Sequence, residues 1–292
     1  MTTSPPVAIT TAGRSGAEAA KLPGNMGGNV LAGTVAAMVD DLTARFAALV
    51  ARQDSALPLD EALLLIAAHA DPTVDVDEQK ARLDEIAAGV EEPTIEALCD
   101  VLFARLGFAG DRDTYYAADN SLLPRVLDRR LGIPLSLSLL TIEVGRRCGV
   151  EVEGIGMPGH YLVRPTGEPD RYLDVYEGGR ELDVDGCRAL FERVQTGVPW
   201  DDSYLRPDAP WARVSRTLGN LAGAYRRSGD RDSLCWTLRL SLLLPSGSDR
   251  ERRELALLLG ASGRYGEAAT VLEGSGTEAD AEAALRMRAR LN

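Results

Sequence analysis

The sequence predicts an α+β fold: a helical N-terminal part, a small antiparallel sheet in the middle, and helical hairpins toward the C-terminus. Three observations carry that prediction. From about Val35 to Gly110 apolar residues recur at three- and four-residue steps, the period of amphipathic helices. Between Val152 and Val175, short apolar runs flank Pro165-Thr-Gly-Glu-Pro-Asp170, which is turn chemistry between paired strands. Beyond Pro199, Leu- and Ala-rich segments are punctuated by RSGDRDS and ASGRYGEA, the pattern of helices broken at glycine.

The helical part comes first. Residues 1–34, rich in Thr, Ser, Pro, Gly and Ala, show no sustained periodicity and read as a disordered tail. Val35, Val39, Leu42, Phe46 and Leu49 mark a first helix. A second starts near Pro58 with Leu59, Leu63, Ile66 and Ala67 on its apolar side. A third spans about Val76 to Ala88, with Leu83 and Ile86 inward, and a fourth about Thr94 to Leu106. His69, at the end of the second helix, reads as a capping or surface histidine.

The middle is denser in chemistry. Asp119-Asn120-Ser121 opens a helix to about Arg130, with Asn120 or Ser121 as the expected N-cap. Gly132-Ile133-Pro134 is a sharp break, and Pro134 suits the first turn of the next helix. That helix, about Leu135 to Cys148, is apolar on most sides and is expected to be buried. Gly149 ends it. Arg129, Arg130, Arg146 and Arg147 sit at helix C-termini, where solvated dipole partners are expected.

Strands are predicted at Val152–Gly156, His160–Arg164 and Arg171–Val175. A loop symmetric about Gly167 sets His160 directly opposite Asp174, within reach of an imidazole–carboxylate hydrogen bond. A slip of one residue breaks that pairing. Cys187 begins an apolar helix and reads as a buried core thiol.

At the C-terminus, LGNLAGAYRRSGDRDSLCWTLRLSLLLP and LALLLGASGRYGEAATVLE share one rhythm, and Gly229 and Gly263 are 34 residues apart. That spacing has the look of a tetratricopeptide-type repeat. Two units are too few to stand alone, so they are expected to pack on the core. The resulting division is 1–34 tail, 35–118 helical part, 119–199 core and 200–292 C-terminal helices.

Composition narrows the function. The 292 residues are 45% apolar and 26% charged, with a net charge of −12. That charge argues against a nucleic-acid binder and against docking on anionic membranes. No apolar run approaches the roughly 20 residues that span a bilayer, and the N-terminus lacks the layout of a signal peptide. Four scattered cysteines and two histidines form no zinc or disulfide pattern, so reduced thiols in a cytoplasmic protein are expected. The Gly-rich GNMGGNVLAG lacks the Lys-Ser/Thr ending of a phosphate loop. No cofactor and no metal are implied.

Three segments, NSLLPRVLDRRLGIPLSLSLL, GMPGHYLVR and LDVYEGGREL, resemble the SirB family of bacterial transglutaminase-like proteins. The resemblance runs from about Leu57 to the C-terminus. It implies a transglutaminase-like (papain-like) core between a helical N-terminal part and tetratricopeptide-type helices. In the wider superfamily a Cys at a helix N-terminus is the nucleophile, a His on one strand its base, and an Asp on the next strand orients the His. His160 and Asp174 match the His and the Asp. Pro134 stands where the Cys is expected, with Ser136 and Ser138 nearby.

A thiol in that position is activated by the helix dipole and the imidazole. A serine hydroxyl instead needs a base within hydrogen-bond reach and an oxyanion hole. Two functions follow. The first is a protein without the usual nucleophile that binds a peptide or protein partner through its cleft and C-terminal helices. Asn120, Pro134, Ser138 and Tyr161 then line the cleft. The second is an amide- or ester-directed hydrolase or acyltransferase using Ser136, His160 and Asp174.

Overall fold

The computed structural model describes residues 39–51 and 57–291. The predicted tail and Val35 lie outside them. Helix α1 (39–50) buries Leu42, Phe46 and Leu49, as its spacing requires. Helix α2 (Leu59–Ala70) starts after Pro58 and is buried on nearly every side. Helix α3 (Val76–Ala88) is capped by Asp75, whose carboxylate accepts the N–H groups of Asp77 and Glu78; Leu83 is buried, while Ile86 is only half-buried. The predicted fourth helix is two stretches. Thr94 caps α4 (Ile95–Cys99), which widens into a π-helical segment, Asp100–Arg105.

The next segment departs from prediction. Ala118–Ser121 forms a single 3₁₀ turn, and α5 (Leu123–Arg129) starts after Leu122 without a side-chain cap. Asn120 does not cap it: its Oδ1, the atom a cap requires, accepts from Arg129, and its N–H groups donate to the Thr114 and Tyr115 carbonyls. Arg130 ends α5 in the left-handed conformation, φ 55°. Two short parallel strands, β1 (Ala109–Gly110) and β2 (Leu131–Gly132), were not legible as strands.

Helix α6 (Pro134–Cys148) has Pro134 in its first turn and Gly149 as a left-handed C-cap, both as predicted. Residues Pro134 through Gly145 are all buried. Around α6 lie α3, α8, the sheet and the turn that follows β5.

The sheet is an antiparallel meander of β3 (Val152–Ile155), β4 (Leu162–Pro165), β5 (Tyr172–Asp174) and β6 (Arg180–Leu182). Its register corrects one expectation. Val163 pairs with Leu173, which sets Asp174 across from Leu162, and His160 lies two residues before β4. The hairpin is therefore shifted by two residues from a loop symmetric about Gly167. Side chains alternate faces with period two, so a two-residue shift keeps both residues on one face.

Helix α7 (Val184–Val194) covers a small second core that includes Cys187, Met157 and Phe191. The C-terminal region is helical throughout: α8 (Pro210–Ser228), α9 (Arg231–Ser241), α10 (Asp249–Ala261), α11 (Tyr265–Glu273) and α12 (Glu278–Arg288). Gly229 and Gly263 both adopt positive φ at the turns between paired helices, 73° and 77°. The first of these helices, α8, packs on α2, α6 and the 3₁₀ turn.

Two of the arginines expected in solvent are not there. The guanidinium of Arg147, 9% exposed, bridges the buried carboxylates of Asp60 and Glu143 and reaches Asp84. Arg129 turns inward to Asp111 and Asn120.

Candidate functional site

The site begins at a tight turn. Gly159 takes φ 77°, and the N–H of His160 closes the turn on the Met157 carbonyl. From α8, Arg216 Nη2 donates to the carbonyls of His160 at 3.1 Å and Met157 at 3.3 Å. The loop bearing the imidazole is thus fastened from outside.

His160 is 8% exposed and Asp174 is fully buried. His160 Nε2 and Asp174 Oδ1 are 2.9 Å apart. With the carboxylate accepting, Nε2 carries the proton, and Nδ1 is the ring atom left to meet a partner. The second carboxylate oxygen, Asp174 Oδ2, has no hydrogen-bond partner among the described residues. Arg180 Nη2 stands 3.7 Å from it, too far for a hydrogen bond.

A row of aromatic rings leads away from His160. Its ring meets Tyr176 edge-on at 6.1 Å, and Tyr176 meets Tyr115 at the same distance. Tyr176 also donates its hydroxyl to the Asp111 carbonyl at 3.0 Å. A methyl group on Gly110 would overlap the Tyr176 ring, so only glycine lets β1 come this close.

Asp111 organises the neighbouring loop. Its carboxylate accepts from the N–H and hydroxyl of Thr114 and from Arg129. Burial opposes its ionisation, but these bonds outweigh burial and hold the carboxyl well below the usual range. Asn120 belongs to the same loop support. It donates to the Thr114 and Tyr115 carbonyls and accepts from Arg129.

The other residues singled out from sequence are placed as follows. Pro134 occupies the first turn of α6. Ser136 Oγ accepts the Ile133 N–H at 3.0 Å and donates to the Ile133 carbonyl at 3.2 Å. Its hydroxyl is a helix cap, and no hydrogen bond joins it to His160. Ser138 Oγ is buried without a partner among the described residues. Tyr161 turns away from His160: its hydroxyl donates to both Asp208 oxygens at 2.7 Å, and burial pushes its pKa far above that of a free phenol.

The cysteines offer no activated thiol at this site. Cys148 lies at the far end of α6. Burial pushes the Cys99 thiol up to about 11, and burial with the nearby Asp183 and Asp174 pushes Cys187 up to about 12. Among the described residues no cluster of His, Cys, Asp or Glu could hold a metal.

Beside the aromatic row, a cavity of about 150 Å³ opens at Ile133, the N-cap of α6. Tyr115, Tyr116, Ala117 and Ser121 bound one side; Gly219, Asn220, Gly223 and Arg227 of α8 bound the other. None of these was picked out from sequence as a site residue. The signal was present: Arg216, Asn220, Gly223 and Arg227 recur at helical steps along α8.

A family model described as the transglutaminase-like superfamily matches residues 35–219. A UPF0162 protein from Xylella fastidiosa (strain 9a5c) is 34% identical over 222 residues, 70% of this chain and 79% of its own length. A UPF0162 protein from Pseudomonas aeruginosa is 31% identical over 179 residues, 58% of this chain and 66% of its own. F-box only protein 21 from Mus musculus is 30% identical over 149 residues, 48% of this chain and 23% of that protein. No solved structure matches. The chain belongs to the transglutaminase-like superfamily, within the UPF0162 family.

Proposed function

We propose that this chain is a transglutaminase-like protein without the usual nucleophilic thiol, and that it binds a peptide or protein partner. The observation that carries this reading is the commitment of Ser136. Its hydroxyl serves the Ile133 backbone, while Pro134 fills the helix position where a thiol is expected. A base at His160 then has no nucleophile to activate. The His160–Asp174 pair acts in this reading as a clamp that fixes the turn before β4.

The partner surface comprises the cavity at the α6 N-terminus and the α8 face that closes it. We place the chain with the SirB family and take its C-terminal helices as tetratricopeptide-type, a repeat that presents concave peptide-binding surfaces. The division at 118 and 199 belongs to the same proposal. A cytoplasmic location is part of it, supported by four unpaired cysteines. No helix among the described residues is long and apolar enough to cross a membrane.

A second reading is an amide- or ester-directed hydrolase or acyltransferase with Ser136 as nucleophile. The His160–Asp174 bond with Nδ1 left over favours it. A fluorophosphonate probe read by intact mass separates the two. The binding reading expects no adduct. An adduct on Ser136, lost in both Ser136→Ala and His160→Ala, overturns it.

A further inference from the structure

Helix α12 has an outer face that the described residues leave open. Its inner side is anchored to α10: Arg253 pairs with the buried Asp280, and Met287 lies against Gly260. Ala284 is buried on the same side. Ala281, Leu285 and Ala289 are all exposed. They recur every four residues, which sets them in one ridge along the helix. Leu285 is 68% exposed, the most of any large apolar side chain among the described residues. A lone exposed leucine is ordinary. One with an alanine a turn away on either side lets a second helix approach closely.

The charges on α12 say what covers that ridge. Glu278 and Glu282 belong to its first half, Arg286 and Arg290 to its second half and the residues after it, and all four are exposed. Glu278, Asp280 and Glu282 balance Arg286, Arg288 and Arg290, so this stretch is neutral in a chain of net charge −12. Two copies of so acidic a chain repel over most of their surface; along α12 they do not. The order of the charges also fixes a direction. A parallel copy would set like charges side by side. An antiparallel copy sets Glu282 against Arg286 and Glu278 against Arg290, and two-fold symmetry makes each pair twice. Within one chain Glu282 and Arg286 are loosely joined, 3.5 Å apart and well exposed.

We infer that α12 is a contact between two copies of this chain, packed antiparallel about a two-fold axis at Leu285. Leu285 then meets its counterpart, and Ala281 of one protomer meets Ala289 of its partner. Two helices this short bury less than the roughly 1,200 Å² of a stable complex, so the dimer is weak and concentration-dependent. The contact uses no residue of the cavity at α6 and goes beyond the peptide-binding reading.

Sedimentation equilibrium of the full chain measures association, and a Kd on the order of 100 μM is expected. Leu285→Lys puts like charges on the axis and is expected to weaken association at least ten-fold, with the thermal melt unchanged because Leu285 is exposed. Mild oxidation of Leu285→Cys, Ala281→Cys and Ala289→Cys proteins reads the direction, with each bridge located by peptide mass. Leu285→Cys should link to itself. Ala281→Cys and Ala289→Cys should link only when mixed. Two copies of either stand eight residues apart along the helix, about 12 Å, beyond the roughly 7 Å that a disulfide spans. A chain that stays monomeric at millimolar concentration, or a dimer that Leu285→Lys leaves intact, would overturn the inference. Ala281→Cys linking to itself as readily as to Ala289→Cys would overturn the antiparallel contact.

Discussion

The two histidines of this chain are buried alike, 7% for His69 and 8% for His160, yet they sit in opposite chemical situations. Both ring nitrogens of His69 are engaged, Nδ1 with the Leu65 carbonyl at 2.7 Å and Nε2 with Thr43 Oγ1 at 3.0 Å. Its ring also stacks on Trp236. At His160 one nitrogen is engaged, and the partner carboxylate keeps an orphan oxygen. Burial alone therefore does not separate a structural histidine from a site histidine. The count of unsatisfied polar atoms around it does, because a fold leaves such atoms only where other constraints hold them.

Removing His69 is expected to have the largest effect. His69→Ala leaves a cavity between α1, α2 and α9 and strips the Leu65 carbonyl of its partner. A loss of about 3 kcal/mol in urea unfolding is expected. A loss under about 0.5 kcal/mol would place His69 with surface residues. The same residue predicts a pH effect. Burial pushes its pKa below the ordinary value, against the Leu65 bond. The unfolded chain then binds a proton that the folded chain refuses. This stability is complete above about pH 6.5 and declines as pH falls, with a slope of at most about 1.4 kcal/mol per pH unit. His69→Phe should flatten that decline.

The paired serines of α6 are expected to show smaller effects of different sign. Ser136→Ala removes the cap on Ile133 and should cost about 1 kcal/mol. Ser138→Ala removes a buried hydroxyl that has no partner, so stability should hold or rise by a few tenths of a kcal/mol. Thermal unfolding of both variants reads the difference. If Ser138→Ala is the costlier change, its hydroxyl has a partner that the structure does not show.

Much of this was legible from sequence where short-range signals dominate. Pro134 and Gly149 bracketed α6, and periodicity placed α3 to the residue. His160 and Asp174 were paired correctly on a wrong register, because a two-residue shift preserves the face. Other features depend on distant partners. Asn120 looked like an N-cap, but its oxygen accepts from Arg129 and its N–H groups go to loop carbonyls, and Arg147 looked solvated but is held by Asp60 from another helix. The cavity residues on α8 escaped notice because their partners, Tyr115 to Ser121, lie about a hundred residues earlier.

The proposed function puts recognition in the groove under α8 and makes the His160–Asp174 pair a fixture. The direct measurement is affinity for a peptide selected from a displayed library, compared across three full-length proteins. His160→Gln offers an amide N–H to Asp174 in place of the imidazole, and affinity should stay within about two-fold of wild type. Gly219 has open space where a Cβ would stand, so Gly219→Trp should fold normally, fill the groove and weaken binding by about a hundred-fold. Binding lost in His160→Gln and kept in Gly219→Trp would contradict the account.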